Sequence, residues 1–192
     1  MKSIYIVLTD TGTRFTRMIK FVTRAPYNHA SIALDPELNE VYSFGRKSMR
    51  CFLKAGFVRE HPDAGIYAVQ KSTTCVVYEL KIDDERHARI VEEIARFEKQ
   101  ADRYKYNLLG FVNFALRRPL PRRSAFFCSE FVAHVLDRAG LNLPGKPPGL
   151  TAPHDFMKCP ELKKIYEGPL AAFRRSAPLP GVAAFRGAAA AR

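Results

Sequence analysis

The sequence predicts an α+β domain. Apolar runs of strand length and segments with helical spacing are both present, and they do not alternate regularly, as parallel βαβ units would require. The chain has 192 residues, which is enough for one substantial core. Its hydrophobic content of 47% and charged content of 26% are typical of a soluble globular protein. We therefore expect a single mixed domain.

The first elements are predicted to be a strand, a helix and a hairpin. Ser3–Thr9 is an apolar run that ends at a turn signal, as a buried strand does. Apolar residues then recur at helical spacing from about Arg14 to Thr23, and Pro26 ends this helix. The segments "HASIALD" and "EVYSFG" flank the polar turn "PELN", a pattern that predicts a hairpin.

The middle of the chain is patterned less evenly. Residues from Arg46 to Ser72 contain one candidate short strand, "GFVRE", and whether this region forms a lid stays open. Cys75–Ile82 is a clear strand, and Asp83 or Asp84 then caps a helix that runs to about Tyr104. A shorter helix, "YNLLGFVNFALR", is expected next.

The last predicted helix begins in the segment "AFFCSEFVAHVLDRAG", with Ser124 placed to cap it. The later segment "CPELKKIYEG" is interpreted as a final helical turn or two. Beyond it, residues 169–192 are rich in Ala, Pro and Gly and lack periodicity, so we expect a disordered tail after a domain spanning residues 1–168.

The chain is strongly basic, with a net charge of +12. Four arginines lie in the tail, and a second cluster, "RRPLPRR", occupies residues 117–123. Because no nucleic-acid-binding motif accompanies this charge, we interpret it as a solvated basic surface and do not expect nucleic-acid binding. Contact with a membrane surface through the 117–123 loop and the tail is left open.

Cysteine usage and the amino terminus indicate a reducing compartment. The four cysteines are scattered without the pairing of a metal site, and no apolar run approaches the roughly 20 residues that span a bilayer. The amino terminus lacks the features of a signal peptide. We expect a cytoplasmic protein without disulfides, and the absence of a phosphate-binding glycine loop or metal cluster predicts no cofactor and no metal.

Cys128 lies at a position that is unusual for a cysteine that only packs in a core. Cys128 opens a helix, and a helix amino terminus lowers the pKa of a thiol, although buried free cysteines are also common in cores. A cysteine nucleophile needs a base, and the candidate among the five histidines is His29, which opens a strand whose next residues are small. From the residues alone, a lone histidine on a strand is interpreted as structural. Glu130, in the first turn, is expected to serve the helix by complementing its dipole.

These segments resemble a known family. "YNHASIALD", "EVYSFGR" and the later "FFCSEFVAHVLDRAG" are similar to the circularly permuted branch of the NlpC-type papain-like cysteine amidases. That branch includes the YiiX-like bacterial proteins and, more distantly, lecithin retinol acyltransferase. The likeness extends from about residue 1 to about residue 170, and His29 precedes Cys128, as the permuted order requires. The resemblance implies an antiparallel sheet packed against helices, with the cysteine at a helix amino terminus.

The resemblance also implies roles for individual residues. Cys128 would be the nucleophile and His29 its general base, while the orienting group of the family falls at Ser43. Serine stabilises an imidazolium less than a carboxylate does, and Glu40, which faces the opposite way on the same strand, is the fallback orienter. The oxyanion would be held by the Cys128 backbone N–H and by Tyr27.

Two functions are compatible with these residues. The first is a thiol hydrolase or acyltransferase that cleaves an amide or ester in a small molecule, peptide or lipid through an acyl-enzyme on Cys128. The alternative is a catalytically weak or inactive papain-like module that docks on an acidic partner or a membrane surface. Ser43 in the place of a stronger orienter favours the second; the presence of both Cys128 and His29 favours the first.

Overall fold

The computed structural model of the chain describes residues 1–12, 25–47, 55–107 and 124–176. The helix predicted from Arg14 to Thr23, the basic cluster at 117–123 and Cys51 lie outside these ranges, as does nearly all of the helix predicted after residue 106.

The described residues form eight strands and four α-helices. The strands are β1 (Lys2–Asp10), β2 (His29–Ala33), β3 (Val41–Arg46), β4 (Ala55–Glu60), β5 (Thr74–Ile82), β6 (Lys105–Tyr106), β7 (Ala125–Phe126) and β8 (Lys163–Pro169). The helices are α1 (Gly65–Val69), α2 (Asp84–Lys99), α3 (Cys128–Arg138) and α4 (Leu170–Ser176), and two 3-10 turns occupy Pro148–Leu150 and Pro153–Lys158. The α+β class predicted from the sequence is confirmed.

Six of the strands form one antiparallel sheet in the order β4-β3-β2-β1-β5-β8. The predicted hairpin is present as β2 and β3, in which Ile32 lies opposite Tyr42. The candidate strand "GFVRE" is present as β4, at one edge of the sheet. β6 and β7 form a separate two-stranded parallel pair that leads directly into α3.

The two faces of the sheet are covered differently. One face carries the larger apolar core and packs against α2 and α3, including Ile90 of α2 and Leu136 of α3. The other face carries a smaller cluster, in which Tyr67 of α1 and Leu170 and Phe173 of α4 cover the strands. Because successive side chains of a strand point to opposite faces, the central strands β1, β2, β3 and β5 contribute to both layers.

Phe131 anchors the cysteine-bearing helix to the sheet. Its ring centroid lies 5.4 Å from that of Phe44, 5.7 Å from that of Phe57 and 5.1 Å from that of Phe97. Aromatic rings in such tilted and edge-to-face contacts stabilise packing beyond the area they bury. This cluster fixes the amino terminus of α3 relative to β3 and β4.

Three local predictions from the sequence are wrong. The segment interpreted as final helical turns forms β8, because the open edge of β5 supplies hydrogen-bond partners that local sequence cannot reveal. Ser124 does not cap the cysteine helix; the N-cap is Phe127, and the Ser124 carbonyl accepts from the N–H of Lys105 at 3.0 Å. Residues 170–176, within the segment expected to be disordered, form α4 and bury Leu170 and Phe173.

Within the described ranges, no helix is both long and apolar enough to cross a bilayer.

Candidate active site

Cys128 is the first residue of α3, and the residue is buried, with 6% of its surface exposed. The start of the helix is held by Glu130, whose carboxylate accepts from the Phe127 N–H at 3.2 Å and from Asn107 Nδ2 at 3.4 Å. Glu130 therefore serves the helix, as the sequence predicts. The backbone N–H groups of the first turn have no acceptor within the helix, so they are available to an anion at this position.

His29 opens β2 and lies beside the thiol. Its imidazole is close enough to the Cys128 side chain for the two groups to shift each other's pKa, and its Nε2 lies 2.8 Å from Oε1 of Glu60. Because Nε2 is engaged by the carboxylate, Nδ1 is the ring nitrogen left to exchange a proton with the sulfur. The imidazole is 18% exposed, which leaves an approach to the pair from solvent.

The Glu60 side chain is 12% exposed, and both oxygens of its carboxylate accept hydrogen bonds. Oε1 accepts from His29 Nε2 and from the Ser43 hydroxyl, each at 2.8 Å. Oε2 accepts from the Ser31 hydroxyl at 2.7 Å and from the Tyr67 hydroxyl at 3.2 Å. These hydrogen bonds hold the carboxylate in one orientation. In space, the thiol, the imidazole and the carboxylate follow one another in that order.

The strand register explains why these groups meet. The pairing of Ile32 with Tyr42, continued by one step, sets Ser31 opposite Ser43 on the same face. Glu60 lies opposite Val41 on the next strand and so shares that face. Gly45 leaves the carboxylate room, since a Cβ at this position would lie 3.4 Å from Glu60 Oε1.

The environment favours the charged forms of all three groups. Burial alone would raise the pKa of Glu60, but the charge of His29 and the hydrogen bonds around it lower the pKa to about 2. Burial alone would lower the pKa of His29, yet the Glu60 carboxylate and the Cys128 thiol raise it well above its ordinary value.

The pKa of the Cys128 thiol is lowered, which also favours its charged form. Burial opposes its ionisation, but the hydrogen bond and charge of His29, with the N–H groups of Ala30 and Ser129, lower the pKa of Cys128. Lowered thiol and raised imidazole pKa values together describe a thiolate–imidazolium pair.

The other described cysteines have no such surroundings. Burial raises the pKa of Cys75 to about 12 and that of Cys159 to about 11. Both are free thiols, as is Cys128. Cys128 is thus the reactive candidate among the three.

A tyrosine that the sequence did not single out reaches the sulfur. The Tyr106 hydroxyl, at the end of β6, is close enough to the Cys128 side chain for the thiol to shift its pKa. Burial and the neighbouring Cys128 raise its pKa well above its ordinary value, so the phenol stays protonated and remains a donor. Arg46, at the end of β3, acts on Tyr106 in the opposite direction and places positive charge near this side of the thiol.

Three residues proposed from the sequence do not make the contacts proposed for them. The Ser43 hydroxyl donates to Glu60, so the carboxylate and not Ser43 accepts from the imidazole. Glu40 is about half exposed and lies 3.7 Å from Arg59 on the opposite face, as its position relative to Ser43 predicts. The Tyr27 hydroxyl donates to Glu167 of β8 at 3.1 Å, so Tyr106 replaces it as the tyrosine at the thiol.

Sequence reasoning missed Glu60 and Tyr106. Glu60 ends the candidate strand "GFVRE", where period-2 alternation places it on the same face as Val58, and an acid on an inward face is a signal that could have been used. Tyr106 reaches the site through the parallel pairing of Lys105 with Ala125, and that pairing joins segments too distant for any local pattern to reveal.

A cavity of about 480 Å³ lies away from these groups. It is bounded by the end of β5 and the loop after α3, with Lys81, Arg86 and Asn142 among its lining residues. It contains neither the thiol nor the imidazole. In the described part of the chain there is also no group of three side chains arranged to hold a metal ion.

Comparison of the chain with protein-family models, with curated proteins and with solved structures finds no match.

Proposed function

We propose that this protein is a cysteine hydrolase or acyltransferase that cleaves an amide or ester through an acyl-enzyme on Cys128. The observation that carries the proposal is that the His29 imidazole lies 2.8 Å from the Glu60 carboxylate and beside the Cys128 thiol, whose pKa it lowers, with the thiol at the start of α3. A nucleophile, a base and a group that orients the base are what covalent acyl transfer requires.

The first half-reaction follows from this geometry. The Cys128 thiolate attacks the acyl carbon, a C–S bond forms, and the carbonyl oxygen becomes an oxyanion. The Cys128 N–H and the Tyr106 hydroxyl are the donors proposed to stabilise that oxyanion. As the tetrahedral intermediate collapses, His29 gives its Nδ1 proton to the departing amine or alkoxide.

The second half-reaction restores the enzyme. Neutral His29 takes a proton from water, or from an acceptor alcohol or amine, and the resulting nucleophile attacks the thioester. The C–S bond breaks, the acyl group leaves as an acid or a new ester or amide, and the thiolate–imidazolium pair is regenerated. Glu60 stays ionised throughout, holding the imidazole in one orientation.

The fold supports a more specific proposal, that of a permuted papain-like enzyme. The histidine strand β2 precedes the cysteine helix α3 along the chain, and α3 packs against an antiparallel sheet. Both features agree with the arrangement that the family resemblance implies.

The inactive-module alternative loses its main support. It rested on Ser43 as a weak orienter, whereas a carboxylate occupies that role at 2.8 Å from the imidazole. For the substrate, Arg46 near Tyr106 favours an acyl compound that carries a negative group next to the scissile bond.

The deciding experiment is iodoacetamide labelling of each cysteine, resolved by peptide mass spectrometry from pH 4 to 10. In the wild type we expect Cys128 to label with a midpoint well below the free-thiol value of about 8.5. His29→Ala should move that midpoint upward, and Glu60→Gln should do so to a smaller extent. The Cys159 peptide, from a buried thiol with a raised pKa, is the internal reference.

Labelling of Cys128 at the same pH-dependent rate as Cys159, or a profile unaffected by His29→Ala, would contradict the proposal. If Cys128 labels as expected, turnover is measured with small chromogenic esters and amides. Each substrate is compared with and without a carboxylate. An increase in mass by the acyl group on the Cys128 peptide, trapped by acid, identifies the intermediate.

A further inference from the structure

The hydrogen bonds around Glu60 exceed what is needed to orient one imidazole. An ionised carboxylate offers about four acceptor sites, and here four donors occupy them, two on each oxygen. One donor is His29. The other three are hydroxyl groups, from Ser31, Ser43 and Tyr67.

These hydroxyls come from three different elements that converge on one point. Ser31 and Ser43, on β2 and β3, are fully buried, and Tyr67, on α1, is 8% exposed. The Tyr67 hydroxyl also lies 3.4 Å from Oγ1 of Thr9, which can donate to it and leave its own proton for Glu60. Burying three hydroxyls is costly unless each has a partner, and the shared partner of all three is this carboxylate.

We propose that Ser31, Ser43 and Tyr67 are positioning residues that keep Glu60 ionised and directed at His29 Nε2, so that the Cys128–His29 pair remains reactive in mildly acidic solution. This inference rests on the proposed function, because it concerns the same thiol and imidazole.

The physical basis is the neutrality of the donors. A hydroxyl stabilises the carboxylate charge without contributing a positive charge of its own, whereas a lysine or arginine would compete with the imidazolium for it. Among the described residues that hydrogen-bond Glu60, His29 is the one that can be cationic. The full attraction of the carboxylate is therefore directed to the imidazolium.

The other titratable groups near Glu60 remain neutral in this pH range. Burial and the nearby carboxylate raise the pKa of Tyr67, and Cys75 of β5, which faces Tyr67, has its pKa raised by burial to about 12. Beyond the imidazole stand Cys128 of α3 and Tyr106 of β6, the latter also with a raised pKa. Arg46, at the end of β3, contributes a positive charge on the Tyr106 side of the thiol. The pH dependence of the pair in mildly acidic solution is thus governed by Glu60, His29 and Cys128.

Loss of these hydroxyls should make the Cys128–His29 pair less reactive in acid. Hydrogen bonds to the ionised form lower the pKa of a carboxyl group, which for Glu60 is about 2. Removal of a hydroxyl raises that pKa, so Glu60 is protonated at a higher pH and the imidazolium loses its partner. The thiolate is then lost at a higher pH as the solution is acidified.

The test compares Tyr67→Phe, Ser31→Ala, Ser43→Ala and the triple variant by the pH dependence of Cys128 labelling with iodoacetamide. We expect the pKa of Glu60 to rise from about 2 by about half a unit to one unit for each lost hydroxyl. The acidic midpoint of Cys128 labelling should therefore rise most in the triple variant, where Glu60 protonation reaches mildly acidic solution, and by less in each single variant. Ser43→Thr, which retains a hydroxyl, should keep the wild-type profile. Ser3→Ala is the matched control, because it removes a serine-to-carboxylate hydrogen bond of 2.7 Å, to Glu79, at a distant part of the same sheet.

Two results would overturn the inference. If the three variants keep the wild-type profile while His29→Ala and Glu60→Gln still shift it, the hydroxyls are structural and the proposed function stands. If wild-type Cys128 itself titrates as an ordinary thiol, the proposed function fails and the inference with it. Should Tyr67→Phe fail to fold, as circular dichroism would show, the two serine variants decide the same question.

Discussion

At the scale of single residues, the chemistry depends on one sulfur atom whose charge is set by its neighbours. Three thiols are described, and all three are buried, yet only Cys128 has its pKa lowered. The difference is the imidazole beside it, which in turn is held by Glu60. Burial by itself would have made Cys128 as inert as the other two.

Tyr106→Phe tests the proposed oxyanion donor. We expect kcat for ester or amide cleavage to fall about 100-fold with little change in KM, because the lost hydrogen bond acts mainly on the charge that develops in the transition state. Tyr27→Phe, which removes a hydroxyl bonded to Glu167, is the matched control and should leave kcat unchanged. The reverse pattern would restore Tyr27 to the role that the sequence suggested.

At the scale of elements, the site is assembled where β2, β3, β4 and α3 meet and where β6 passes. The backbone just before β6 lies against β4 at Gly56. A Cβ at Gly56 would come within 2.7 Å of the Tyr104 carbonyl oxygen. Because Gly56 has no side chain, the chain between Tyr104 and Tyr106 can lie directly against the sheet. This close approach places the Tyr106 hydroxyl at the thiol.

Gly56→Ala should displace this segment. A methyl group 2.7 Å from a backbone oxygen forces one strand to move, and overpacking of this kind costs about 1–3 kcal/mol. We expect lower stability by urea denaturation and a loss of kcat similar to that of Tyr106→Phe. In the double variant with Tyr106→Phe, kcat should fall little further, since both changes remove the same hydrogen bond. Additive losses would show that Gly56 acts through another contact.

At the scale of the whole molecule, the two faces of the sheet position different parts of the site. The larger apolar face fixes α3 through Phe131 and its aromatic neighbours. The opposite face buries the Glu60 carboxylate beneath Tyr67 of α1. A buried carboxylate with a lowered pKa couples the stability of the whole fold to pH.

The stability of the protein should therefore fall in acid. The pKa of Glu60 is about 2 in the folded protein and near 4.5 when unperturbed, so its stabilising contribution is present above about pH 4.5 and is lost as the pH falls towards 2. The corresponding loss is roughly 3 kcal/mol in the free energy of unfolding. Urea denaturation at several pH values between 2.5 and 6 measures it.

Glu60→Gln is the comparison for this measurement. It lacks the titrating carboxyl group, so its free energy of unfolding should be lower at pH 6 and should depend less steeply on pH. Equal slopes for the two proteins would assign the acid sensitivity to other carboxyl groups.

The sequence alone determined the α+β class, the hairpin of β2 and β3, the strand at Cys75–Ile82 and the helix that begins at Asp84. These predictions are confirmed because they depend on local patterns, namely strand alternation and helical spacing. The sequence also singled out Cys128 by its place at the start of an apolar helix, whereas His29 was proposed as its partner through the family resemblance.

The tertiary structure alone decided which groups complete the site. Ser43, Glu40 and Tyr27 were proposed from the family resemblance and from their places on or beside the predicted strands, but Glu60 contacts the imidazole and Tyr106 lies beside the thiol. Glu60 reaches the imidazole through the register of three strands, and Tyr106 reaches the sulfur through a parallel pairing with the segment before α3. Strand register and long-range pairing are set by the packing of the whole sheet, so no short stretch of sequence encodes them.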